Sequence, residues 1–116
     1  MRRDDIIRIR HMQDAVNEAL SFAADKQRSD LDNDRMLTLS IIKDIEIIGE
    51  AAAKVTPDSK EKLLEIPWAS IVAMRNRLIH VYFDIDLDRV WDTVMADLPP
   101  LKDSLEKILS SYDNTM

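Results

Sequence analysis

Met36-Leu37-Thr38-Leu39-Ser40-Ile41-Ile42-Lys43-Asp44-Ile45-Glu46-Ile47-Ile48-Gly49 is the stretch on which the fold turns. Its apolar residues point most of the way round a helix, whereas a helix lying on one neighbour needs only a stripe. The pattern predicts a helix from about Leu31 to Val55, buried on one side by its own domain and on another by something else. A second copy of the chain is the economical partner. Gly49 is the only glycine. Inside a helix it costs about 1 kcal/mol relative to Ala, and close approach of another helix is the compensation to expect. Glu46 and Glu50 are four apart and share a helix face. No Glu-x-x-His accompanies them, as a carboxylate di-metal bundle requires, so salt bridges or support for nearby arginines is the favoured reading.

Upstream, Ile9, Met12, Val16, Ala19 and Ala23 recur at helical spacing, with Ile6, Leu20 and Phe22 widening the stripe. Asp4 or Asp5 can cap this first helix. His11 stands apart from any metal-type cluster and reads as a surface or boundary residue. Ser29, Asp30 and Asp32 are candidate N-caps for the second helix. The acids around them lack the glycine and terminal glutamate of a calcium loop.

Downstream, Thr56-Pro57 is a cap followed by proline at the first helical position. It predicts a short helix to about Leu64, and Pro67 starts the next one. Trp68, Ile71, Val72, Met74, Leu78 and Ile79 supply that helix's apolar contacts. Asp86 can cap a segment from Leu87 to Leu98 with Val90, Trp91, Val94 and Met95 inward. Pro99-Pro100 is expected to stop or kink it. Leu101, Leu105, Ile108 and Leu109 mark a last amphipathic helix. The expected architecture is one all-α domain over residues 1–116, an up-and-down bundle of four main helices with shorter pieces.

Composition narrows the function. One glycine and four prolines among 116 residues leave little material for the tight turns of a β fold. With no cysteine, disulfides, thiolate metal sites and cysteine nucleophiles are excluded. No apolar run reaches the roughly 20 residues that span a bilayer, so a soluble, cytoplasmic protein without membrane attachment is expected. The net charge of −6 disfavours bulk electrostatic coating of DNA. It leaves room for a small local basic site.

That site is Met74-Arg75-Asn76-Arg77-Leu78-Ile79-His80-Val81-Tyr82-Phe83. Two arginines, an amide, a histidine and a phenol fall within eight positions, and no acid lies between Pro67 and Phe83. A guanidinium grips phosphate oxygens bidentately, and an imidazole moves protons near neutral pH. Together they suffice for metal-free, cofactor-free RNA cleavage. His80 would take the proton of the ribose 2′-OH or protonate the leaving 5′-oxygen, and Arg75 would stabilise charge on the pentacoordinate phosphorus. Asn76 would orient the imidazole or bond a phosphate. DNA lacks the 2′-OH and would not react this way.

Geometry sets a condition. At about 100° per residue, Arg75 and His80 lie roughly 140° apart round an ideal helix, while Asn76 and His80 share a face. Either the helix ends or bulges before His80, or the site draws on two subunits. By spacing alone, a salt-bridged helix end with an ordinary buried histidine is the commoner outcome.

Ile66-Pro67-Trp68, then Met74-Arg75-Asn76 and Leu78-Ile79-His80-x-Tyr82-Phe83, resemble the HepT-like branch of the HEPN superfamily. Ile48-Gly49-Glu50-Ala51 precedes the match, and Val90-Trp91-Asp92-Thr93-Val94 and Asp97-Leu98-Pro99 continue it. The resemblance implies a helical bundle that forms homodimers, with Arg-x4-His motifs meeting at the dimer cleft. It implies a metal-independent endoribonuclease toxin with Arg75, Asn76 and His80 at the site. It also implies a cognate minimal nucleotidyltransferase antitoxin that attaches AMP to Tyr82 and silences the toxin. Bulk and negative charge two residues from His80 would compete with RNA. Ala73, Val81 and Asp84 depart from the Gly, Asp and Gly that family members often carry there. The other readings are a non-catalytic helical module that pairs with a nucleotidyltransferase or binds nucleotide, and a purely structural helical dimer.

Overall fold

The computed structural model describes residues 1–80 and 85–114, and for 77–80 the backbone alone. Seven α-helices account for most of it: α1 (Arg3–Ala23), α2 (Asp30–Asn33), α3 (Arg35–Lys54), α4 (Pro57–Lys62), α5 (Trp68–His80), α6 (Leu87–Asp92) and α7 (Leu98–Asn114). A π turn over Thr93–Asp97 joins the last two. The architecture is an all-α bundle: α1 packs along α3 and α7, and α3 packs along α5 on its other side.

The core follows from the apolar stripes. Ile9, Met12, Val16, Ala19, Ile41, Ile45, Ile48, Val94 and Leu105 are fully buried, and every apolar position expected to face inward on α7 is buried with them. Phe22, at 36% exposure, falls off the expected stripe of α1, and Met95, at 54%, falls off that of α6 and the π turn. On α3 the stretch is not covered throughout within one chain, since Met36 is 80% and Leu39 48% exposed. His11 is exposed, as expected.

Three local expectations are corrected. The second helix does not run unbroken from Leu31. Asp34 leaves the helical region, and its carboxylate accepts from the Leu37 N–H at 3.1 Å, so Asp34 caps α3 and cuts off α2. Thr38 then donates to the Leu31 carbonyl at 2.7 Å and ties the two pieces together. Asp5 does not cap α1. It is 1% exposed and accepts from the Thr56 N–H at 2.9 Å and from the Thr56 and Ser59 hydroxyls, each at 2.5 Å. The start of α1 is thereby fastened to the start of α4. Burial raises the Asp5 pKa, but the bonds from Ser59 and Thr56 outweigh it and hold the carboxyl below its usual value.

The third correction concerns the prolines. Pro99 and Pro100 neither stop nor break the chain's helical course; they occupy the first turn of α7. Proline lacks the N–H that a regular helix would spend there. The preceding π turn accommodates this, with the Leu98 N–H donating to the Thr93 carbonyl one residue further back than usual.

Candidate active site

α5 carries the candidate residues Arg75, Asn76 and His80, and its contacts with the rest of the chain set its place. Ile66, 2% exposed, anchors the approach. Trp68 at the first turn donates from its indole N–H to the Leu63 carbonyl at 3.0 Å, and the Lys60 ammonium lies 5.7 Å from its ring centroid. Ile71 is the buried residue among the described side chains of the helix, with Val72 and Met74 packed partly against the core. One turn further on, α5 meets the glycine of α3. A Cβ built on Gly49 would overlap the Arg75 Cβ and lie 2.5 Å from its Cγ. The close approach expected from the lone glycine is therefore present, and the residue that approaches is Arg75.

Arg75 itself is half-buried. Its Nε is sealed from solvent without a hydrogen-bond partner. None of the ion pairs among the described residues involves it. Its position is held by packing on α3, and its charge is not spent on a carboxylate among the described residues. Asn76 is exposed one residue later. α5 continues as a helix through His80, so it neither ends nor bulges before the histidine. Asn76 and His80 share a face, and Arg75 sits roughly 140° from His80 about the axis. The side chains of Leu78, Ile79 and His80 lie outside the described residues, as do Val81, Tyr82, Phe83 and Asp84.

The neighbouring acids have distinct environments. Glu46 is 8% exposed, with the Lys43 ammonium 3.9 Å away, whereas Glu50 is exposed. Among the described residues no group of three or more histidine or acidic side chains could hold a metal ion. Asp44, one turn before Ile48, is 2% exposed, and burial together with the hydrogen bond and charge of Glu18 pushes its carboxyl up to about 7. Nothing in the sequence pattern sets this acid apart from the solvent-facing ones; only the packing of α1 on α3 does.

A cleft of about 1060 Å³ opens between α5, α6 and the start of α7. Its floor includes Ile45, Ile71, Val90 and Leu98, and its rim carries Glu65, Asp86, Asp88, Asp92 and Asp97 against the single Arg89. Such a rim repels phosphate. This cleft is thus not where a polyanion would sit, and Arg75 is not among the residues that line it.

An all-α bundle whose arginine pairs with no carboxylate among the described residues, on a helix ending Arg-x4-His, points to a narrow class. The ribonuclease HepT-like family model matches residues 12–108, and the chain belongs to that family. It is 41% identical to a protein named "Probable ribonuclease HepT" from Thermococcus cleftensis, over 65% of this chain and 68% of that one. It is 36% identical to a "Putative RNase" of Methanocaldococcus jannaschii over 80% of this chain and 85% of that one. A longer protein of the same organism, named "Gamma-glutamylcyclotransferase and putative RNase", is 34% identical over 97% of this chain but only 51% of its own length. No solved structure matches the chain. Among the described residues no helix is long and apolar enough to cross a membrane.

Proposed function

We propose that the chain is a metal-independent endoribonuclease toxin whose working site forms where two copies meet. The supporting observation is the Arg75 guanidinium, free of any internal carboxylate among the described residues, on an α5 that stays helical through His80. Family membership supports RNA as the substrate class. One α5 turns Arg75 and His80 roughly 140° apart. A phosphate between two copies of α5 can take the guanidinium from one and the imidazole from the other. His80 removes the 2′-OH proton or protonates the departing 5′-oxygen; the 2′-oxygen bonds to phosphorus as the bond to the 5′-oxygen breaks. Arg75 bears the added negative charge, and Asn76 orients the imidazole or holds a phosphate oxygen. The products are a 2′,3′-cyclic phosphate and a 5′-hydroxyl.

The same reading makes a minimal nucleotidyltransferase the antitoxin and Tyr82 the acceptor of AMP. The test is purified protein with RNA in excess EDTA. Cleavage to 2′,3′-cyclic ends is expected. Loss of cleavage on chelation, or undiminished cleavage by His80→Ala, overturns the proposal. Coexpression with the nucleotidyltransferase is expected to add mass in steps of one AMP, and Tyr82→Phe to abolish the gain.

A further inference from the structure

We propose that Gly49 is a positioning residue for the Arg75 guanidinium: the missing side chain on α3 sets how deep, and therefore where, α5 presents its cation. This rests on the reading of Arg75 as the group that meets the scissile phosphate. Two independent features of the packing carry it. The first is the crossing point. Any Cβ at position 49 would collide with the Arg75 Cβ and lie 2.5 Å from its Cγ. These are the stiff inner atoms of the side chain, so rotating the guanidinium away does not relieve the clash. α5 itself must move, by about an ångström or more, to reach ordinary contact of 3.4 Å. The second is the sealed Nε of Arg75, which has no partner. No hydrogen bond at that atom fixes the side chain, and none of the ion pairs among the described residues does so. Its aim is set by the surface it rests on, and Gly49 is that surface.

The surroundings of Gly49 agree. Ile48 and Ala52 on the same helix are fully buried, so α3 cannot yield toward the core in place of α5. Met74 and Val72 are only partly buried, so α5 is the element able to shift. A displacement of this size at a catalytic group costs about 100-fold in rate.

The experiment compares Gly49→Ala with wild type and with Ile48→Val, a core change one residue away that leaves the crossing intact. Single-stranded RNA in EDTA is the substrate, at a temperature where circular dichroism shows every variant folded. Gly49→Ala is expected to lower kcat about 100-fold with KM within a few-fold, the pattern of an interaction made in the transition state. Ile48→Val is expected to keep kcat within a few-fold. An unchanged kcat in Gly49→Ala, a change confined to KM, or an equal fall in Ile48→Val overturns the positioning role while cleavage by wild type stands. An inert wild type overturns the ribonuclease reading and this role with it. Where Gly49→Ala does not fold, Gly49→Ala/Arg75→Gly reads the crossing directly. Recovery of folding in the double variant is the expected result; failure to recover removes Arg75 as the residue in contact and overturns the proposal.

Discussion

The α1–α3–α7 side and the α5–α6 side of the bundle are built to different standards. On the first, Ile9, Met12, Val16, Ala19, Ile41, Ile45 and Leu105 have no exposed surface at all. On the second, Ile71 alone is buried among the described side chains of α5, and an open cleft separates that helix from α6. The contrast separates a densely packed frame from the helix that carries the candidate site. Dense packing fixes the frame. The helix with the candidate site, α5, packs along α3 and meets it closely where Arg75 crosses Gly49, while most of its described side chains stay half-buried or exposed. On the proposed reading a phosphate backbone reaches α5 at Arg75, which does not line the acid-rimmed cleft.

That division can be broken or sharpened by substitution. Arg75→Ala should reduce RNA cleavage by about 10³-fold, or roughly 4 kcal/mol of transition-state stabilisation. Its denaturation midpoint should hardly change, because the removed Nε is an unsatisfied buried donor. Single-turnover kinetics beside urea melts checks both halves of the statement. Ile45→Ala should do the reverse. It opens a cavity beneath α3 and lowers stability by about 3 to 4 kcal/mol, leaving the cleavage rate of the folded fraction nearly intact. Equal damage to activity and stability in either variant would mean that frame and site are not separable.

Asp5→Ala tests the frame's polar fastening and should cost about 2 to 3 kcal/mol, since the buried Thr56 N–H and the Thr56 and Ser59 hydroxyls lose their acceptor together. The Asp5 pKa is lowered in the folded chain. Its contribution is complete above the ordinary carboxylate value of 3.8 and fades as pH falls through the lower folded value. Acid unfolding of wild type should therefore steepen below pH 4, and that step should be missing in Asp5→Ala.

Asp44 gives the smallest effect and the opposite sign. Its carboxyl is raised from 3.8 to about 7, so the folded chain keeps a proton that the unfolded chain has released. The resulting stability is fully present below about pH 4 and is lost as pH rises through about 7. Asp44→Asn mimics the protonated form. It should raise stability at pH 8 by about 1 to 2 kcal/mol and flatten the decline between pH 4 and 7. Urea midpoints across that range measure it.

The helices of the frame were legible because burial on one side imposes a helical period on the residues concerned. Leu101, Leu105, Ile108 and Leu109 are the plainest case, and all four are buried. Phe22 and Met95 misled because period alone does not say where a stripe's edge lies. The split at Asp34 was hidden because several neighbouring acids and a serine could equally cap, and only the backbone geometry chose among them. Pro99-Pro100 misled because proline both ends one helix and begins the next; the π turn before it made it a beginning. Of the candidate site, Arg75 and Asn76 were proposed from residue type and the family resemblance, and their burial is described; His80 is described by its backbone and Tyr82 lies outside the described residues.

By itself the sequence determined the all-α class, the chemical character of α5, the family to which the chain belongs, and that its one glycine needed a close neighbour. All of these are local or compositional properties, carried by periodicity and residue identity. Tertiary structure alone decided that the neighbour is Arg75, that Asp5 fastens α1 to α4, and that Asp44 keeps its proton near neutral pH. Each of those depends on which residues far apart in the chain come into contact, and on how completely they exclude water from one another.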